Sequence, residues 1–251
     1  MEEIIIEYLV DYHEILKQID EKKDILDSKS PFPRYTLKSL REKLLVEWTY
    51  HSNAIEGNNL TLVETKVVLE GIAVSGKTIH EHLEVINHRE AIGYIEKIIE
   101  KQETLSEWQI ENIRAIIFKG KFPKNNSSYR TLAIDVASIL SVSSPVQVAN
   151  LLKWYKGEAQ RLHAIERAAV LHKRFVEVYP LEEGNGRIAR LLLNFELMKH
   201  GYVPIVIKKE QQEEYYDKLN YLRILKDDSA FILFIARIVN QALDLYIRYI
   251  K

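Results

Sequence analysis

The chain has no cysteine in its 251 residues. That excludes disulfides, thiolate metal sites and cysteine nucleophiles, and it is compatible with a reducing compartment. An excess of one charge is also missing. The chain carries 35 Lys and Arg against 36 Asp and Glu, a formal net charge of -1 with no basic block. Bulk electrostatics therefore offer no footprint for nucleic acid. No uninterrupted apolar run approaches the ~20 residues that span a bilayer. The first residues, Met1 to Glu7, are acidic and interrupted by charge, unlike a signal peptide. There is neither a low-complexity linker nor an internal repeat. These absences predict a cytoplasmic protein with no membrane and no nucleic-acid partner.

Hydrophobic content of 47% and charged content of 28% belong to a globular chain long enough for one sizeable core, or a core with a small helical cap. Ile5, Leu9, Tyr12, Leu16 and Ile19 recur at spacings of three and four, which predicts a helix over 2–27. Ser30-Pro-Phe-Pro33 breaks it, and a second helix is predicted from about Leu37 to Ala54. Four capping-box patterns then mark helix starts: Thr61 with Glu64, Thr78 with Glu81, Thr104 with Glu107, and Ser144 with Gln147 ahead of Pro145. Further helical patterns cover 165–178, 188–199 (stopped by Gly201), 211–225 and 229–249. Phe231, Phe234, Ile235, Ile238, Ala242 and Leu245 form an apolar stripe on the last of these, suited to core packing or to a homodimer face. The exception to helix is 129–142, whose β-prone residues after Lys124-Asn-Asn-Ser-Ser128 predict a short hairpin. The fold class expected is all-α with one small β-hairpin.

One stretch concentrates chemistry. Tyr179-Pro-Leu-Glu-Glu-Gly-Asn-Gly-Arg-Ile-Ala-Arg190 joins two helical patterns, with Gly184 and Gly186 at the start of the second. The first N–H groups of a helix have no internal partner and the dipole is positive there, so the junction suits an anion. Glycines on either side of Asn185 permit a backbone nest, and Arg187 and Arg190, three apart, add guanidinium forks suited to polyphosphate. Glu183 supplies a carboxylate for a divalent metal bridging those phosphates. A Gly-x-Gly alone is more often a plain helix–helix turn with solvated arginines. The combination is what points to a nucleotide.

The stretch resembles the signature of Fic-domain proteins, His-x-Phe-x-(Asp/Glu)-Gly-Asn-Gly-Arg-x-x-Arg. It matches at Glu183, Gly184, Asn185, Gly186, Arg187 and Arg190, but Tyr179 stands at the family's His and Leu181 at its Phe. The resemblance implies ATP with Mg²⁺ as cofactors and transfer of AMP to a hydroxyl of a target protein. It assigns Glu183 to the metal, Asn185 and the loop amides to the α-phosphate, and Arg187 and Arg190 to the distal phosphates. A phenol, with a reference pKa of ~10 against ~6.5 for imidazole, is a poor proton acceptor near neutrality. His172, two helical turns back, and Glu177 and Glu182 do not stand at the family's position.

Ser52-Asn-Ala-Ile-Glu-Gly57 resembles the family's inhibitory motif, (Ser/Thr)-x-x-x-Glu-(Gly/Asn). Carried over, Ser52 and Glu56 would restrain Arg190; the alternative is a helix end capped by Gly57 with Glu56 solvated. Tyr129-Arg130 resembles the pair ahead of the family's flap hairpin, where the target segment would bind; an ordinary surface hairpin is the alternative. Lesser echoes are Glu84-Val-Ile-Asn87 and Tyr215-Tyr216. Tyr216 corresponds to a ring that contacts adenine, while Arg223 replaces a common Asn. His80, His82 and His88 do not share one helix face as a metal site requires. The resemblance divides the chain into 1–60, a helical region with the inhibitory motif, and 61–251, the Fic core with flap and C-terminal helices, together one unit. Three functions stay open: restrained transfer of AMP, a degenerate module that binds nucleotide or docks a partner, and hydrolytic removal of AMP with Glu56 orienting a water.

Overall fold

Two helices occupy the centre of the molecule. In the computed structural model α7 (Ala164–Val178) and α8 (Asn185–Lys199) pack against each other, and α8 is buried almost all round. A helix buried on every face belongs in a core, and the run Ile188 to Phe195, apolar but for Arg190 and Asn194, explains its place there. Gly201, at φ +78, closes α8: its N–H donates to Met198 O at 3.0 Å and Tyr202 N–H to Leu197 O at 3.0 Å. This Schellman turn is the stop that the sequence predicts.

The structure describes residues 2–29, 34–120, 144–178, 183–225 and 228–250. Around the central pair lie α1 (Glu2–Ser28), α2 (Arg34–Ile55), α3 (Leu62–Leu69), α4 (Ile79–Glu100), α5 (Glu107–Ile117), α6 (Ser144–Lys156), α9 (Gln212–Leu225) and α10 (Ser229–Tyr249). The described residues are helical and contain no strand. The expected hairpin over 129–142, Tyr129 and Arg130 included, falls outside them, as do Tyr179 and Glu182 and the side chain of Arg223.

The boxes at Thr61 and Thr78 form as expected, each hydroxyl accepting from the backbone N–H of Glu64 or Glu81 while that carboxylate returns to the cap. The box expected at Thr104 does not form. The N-cap of α5 is Ser106, with no side-chain bond to the helix backbone, because its hydroxyl donates to the Gln109 amide oxygen instead. The helix therefore starts two residues later than expected. Helix α6 begins at Ser144 itself.

Helix α10 is long and apolar enough by composition to cross a bilayer, with a mean hydropathy of 1.6 over 18 residues. The sequence reading, which sought an uninterrupted run, passes over it. Its physical use is internal: 56% of that window is buried inside the protein, and it packs on α1, α7 and α9. Phe231, Phe234, Ile235 and Ile238 are buried, Ala242 packs against the core, and Leu245 alone of the stripe is exposed. The stripe is thus core rather than dimer face.

Candidate functional site: two arginines and the carboxylates that hold them

Helix α2 ends at Ile55, which makes Glu56 its C-cap and Gly57 the residue beyond, at φ +93. Gly57 N–H donates to Ala54 O and Asn58 N–H to Asn53 O, both at 3.1 Å. This second Schellman turn fixes the direction of Glu56. Gly57 thus caps the helix, and Glu56, although exposed, has a partner. Glu56 Oε1 accepts from Arg190 Nη2 at 2.9 Å.

Arg190 is buried and fully engaged. Its Nε donates to Ser52 Oγ at 3.1 Å, its Nη2 also to Ser52 O at 2.8 Å, and its Nη1 to Tyr215 Oη at 3.4 Å. Burial works against its charge, but Glu56 and Tyr215 outweigh it and raise the Arg190 pKa above the usual arginine value. Tyr215 receives that bond, so its own hydrogen is left for His172 Nε2, 3.0 Å away. His172 is wholly buried, stacked on Phe231, and its pKa is pushed down to about 3 by burial and then by Arg190. His172, for which the sequence offers a structural or a surface role, is therefore structural.

Arg187 is held from another side. Its Nη1 donates to Glu84 Oε1 at 2.9 Å and lies 3.4 Å from Asn53 Oδ1. The Phe118 ring lies 5.8 Å from the guanidinium carbon. Phe118 also explains Gly184, whose φ is +75: a Cβ there would meet Phe118 Cζ at 2.6 Å. Asn87 in turn donates to Ile117 O at 3.2 Å and Lys119 O at 2.8 Å, fixing the backbone on both sides of Phe118. The echo Glu84-Val-Ile-Asn87 thus reaches the loop at both ends.

Gly186 permits the closest approach in the site. A Cβ there would lie 2.4 Å from Glu56 Oε1 and 3.1 Å from Arg190 Nη1. The glycine leaves room for a carboxylate as well as for a phosphate.

Above these groups opens a cleft of about 770 Å³, lined by Glu183 to Arg187, by Glu56 to Asn59, and by Lys77, His80 and Glu84 of the facing wall. It collects Glu56, Glu183, Gly184, Asn185, Gly186 and Arg187 of the expected site. Ser52 and Arg190 lie buried beneath it. Tyr216 is partly exposed beside Tyr215, ring centroids 5.1 Å apart, and is not among the lining residues. Glu177 is exposed and 3.5 Å from Lys173. The histidines of α4 go separate ways: His80 lies 3.5 Å from Glu84, His82 holds Val74 N–H and Thr78 O, and His88 is buried near both arginines. Among the described residues no group of three His, Asp or Glu is placed to hold a metal.

The start of α8 thus brings together two glycines and two arginines, Arg190 paired with Glu56 at the end of α2 and Arg187 with Glu84 of α4. Residues 104–197 match the Fic/DOC family. The chain is 34% identical over 241 residues to "Protein adenylyltransferase Fic" of Nematostella vectensis, covering 93% of this chain and 56% of that protein. It spans about half the length of the curated relatives it matches. Among solved structures, Fic-1 from C. elegans superposes with a TM-score of 0.85 at 28% identity, covering 94% of this chain and 71% of that one. A Fic domain containing signaling protein from Bacteroides thetaiotaomicron gives 0.82 at 28% identity over 94% of this chain and 97% of that one. Residues 104–197 thus carry a Fic/DOC family domain, and the described residues, all of whose regular elements are helices, share the fold of these Fic structures.

Proposed function

We propose that this protein binds ATP with Mg²⁺ in the cleft and transfers AMP to a hydroxyl side chain of a protein, under restraint by Glu56. The observation that carries the reading is the Arg190–Glu56 pair at 2.9 Å, set in the second turn of α8. The relatives named protein adenylyltransferase support the reaction class.

The chemistry would divide as follows. The target hydroxyl oxygen forms a bond to the α-phosphorus and releases its proton to solvent, the bond to the bridging oxygen breaks, and pyrophosphate leaves. Catalysis of this kind is mainly positioning and charge stabilisation. The amides at the start of α8, with Asn185, would steady the α-phosphate, and Arg187 and Arg190 the distal ones. Glu183 lines the cleft at the start of α8, where its carboxylate would fit Mg²⁺ held between one side chain and substrate phosphates rather than in a protein cage. When bound, the ion would neutralise charge on those phosphates.

Glu56 opposes this in two ways. It takes the fork of Arg190 that a distal phosphate needs, and its charge repels that phosphate. A triphosphate denied that anchor sits with its α-phosphorus displaced, and ~1 Å of displacement costs ~100-fold in rate. Replacing Glu56 with Gly should raise labelling of protein by α-labelled ATP, most clearly in a Tyr179→His background. Silence of that double variant toward itself and lysate proteins would end the transferase reading.

Tyr179 favours a second reading. Without imidazole the attacking hydroxyl lacks the family's proton acceptor, a contribution of roughly 10²–10⁴-fold. A domain that binds nucleotide and docks a partner without turnover would keep the loop and lose this residue. Calorimetry separates binding from transfer: Arg187→Ala should weaken ATP binding in both readings, whereas labelling that appears only with Tyr179→His supports the second.

A further inference from the structure

The two loop arginines are not equivalent. Arg190 has all three nitrogens engaged. Arg187 is held through Nη1, by Glu84 and Asn53, while its buried Nε meets no partner among the described residues. Buried donors are rarely left unmet, and such a group persists only where its surroundings hold it. Arg187 is thus fixed by one nitrogen and keeps spare donor capacity.

Glu84 does the holding, and its two oxygens serve different elements. Oε1 receives Arg187 of α8, and Oε2 receives Asn58 Nδ2 at 2.9 Å. Asn58 is itself secured on every side. Its Nδ2 also donates to Glu81 O at 3.1 Å, its Oδ1 accepts from Leu60 N–H at 3.0 Å, and its N–H closes the Schellman turn on Asn53 O. That turn is the one that directs Glu56 at Arg190.

We propose that Glu84 is a positioning residue for Arg187, and that one turn at the end of α2 sets both arginines in opposite senses. Glu56 withholds Arg190 from an anion; Asn58, through Glu84, holds Arg187 ready for one. The inference deepens the nucleotide reading and rests on it for the identity of the anion. Its consequence is specific. Residues two apart on one turn have opposite effects on anion binding, so restraint is relieved by changing the Glu56 side chain and not by loosening the turn.

The test is calorimetry of Mg-ATP and, separately, of pyrophosphate, with wild type, Asn58→Ala, Glu84→Gln and Glu56→Gly, each with and without Arg187→Ala. Glutamine keeps the shape of Glu84 but can accept from only one of its two donors. Asn58→Ala and Glu84→Gln should each weaken binding of both anions about tenfold, the scale of one charge-assisted hydrogen bond. Neither should weaken it further once Arg187 is alanine, and Glu56→Gly should strengthen it. The side-chain resonances of Arg187 give a ligand-free reading: distinct Nη signals in wild type, averaged in Glu84→Gln as rotation is freed.

A penalty of Asn58→Ala that persists without Arg187, or a shift in the same direction as Glu56→Gly, would mean a merely structural turn and overturn the proposal. Tighter binding in Glu84→Gln would overturn it too, by making Glu84 a competitor. If wild type and Glu56→Gly take pyrophosphate but not ATP, the nucleotide reading fails while Glu84 keeps its role. If neither anion binds to Glu56→Gly, both fall.

Discussion

Arg190 sits where burial and function compete. A guanidinium out of water is costly unless its donors are met, and here Ser52, Glu56 and Tyr215 meet them. The next group inward, His172, stays neutral for the same reason, with its pKa at about 3. The unfolded chain binds that proton near ~6.5. Between these values unfolding takes up a proton, so the stability gained from a neutral ring is complete above ~6.5 and falls as the pH drops toward 3. The limiting slope is ~1.4 kcal/mol per pH unit per group. His88, also buried and held well below its usual value by burial and then by Arg190 and Arg187, adds in the same direction. The melting temperature should therefore fall from pH 7 to pH 4, and less steeply in His172→Phe. An unchanged slope in that variant would show that His172 is not the group responsible.

At the scale of elements, the loop is a helix start shaped by what lies against it. Gly184 combines a left-handed φ of +75 with a ring 2.6 Å from the site of a Cβ, so alanine there is opposed by backbone and by Phe118 together. Gly184→Ala should cost about 1–3 kcal/mol, read as a lower midpoint in denaturant. Gly186 differs, since the atom its Cβ would meet is the end of the Glu56 side chain. Gly186→Ala should push Glu56 off Arg190, and its cost in melting temperature should shrink in a Glu56→Gly background. Equal costs in both backgrounds would show that the methyl does not act through Glu56.

These contacts also mark what the sequence could carry. Local rules gave the boxes at Thr61 and Thr78 and the glycine stops at Gly57 and Gly201, because each depends on residues a few positions apart. Motif spacing with a family resemblance reached Ser52 and Glu56 against Arg190, 134 residues from Glu56. Arg187 with Glu84, 103 apart, and Phe118 beneath Gly184 were out of reach. Nothing local in α4 or α5 shows which loop their side chains will meet; packing decides it. The box at Thr104 failed on a finer scale: Thr104 and Ser106 both offer a cap two residues apart, each followed three residues on by Glu or Gln, and the helix starts from the second.

At the scale of the molecule, described residues of α1 and α2 share one core with the helices that follow. Ile15, Ile19 and Leu26 of α1, with Trp48 and Ile55 of α2, belong to the same buried cluster as Phe175, Leu192, Phe231 and Val239. Polar contacts fasten the seam: Tyr12 to Glu166, Lys22 to Asp244 at 2.7 Å, and Tyr202 Oη to Asp20 Oδ1 at 2.9 Å. A restraint carried on α2 is only as firm as this packing, because Glu56 can hold Arg190 only while α2 stays seated. Thermal unfolding should therefore be a single transition by calorimetry and by tryptophan fluorescence, since Trp48 and Trp154 report on α2 and α6 within the same cluster. Ile19→Ala, a buried truncation far in sequence from the cleft, should cost about 2–5 kcal/mol and lower that transition by ~2–4 °C per kcal/mol without splitting it. Two resolved transitions, with Trp48 reporting the first and Trp154 the second, would instead make 1–60 a separable unit. The restraint could then be lifted by undocking α2, without any change at Glu56.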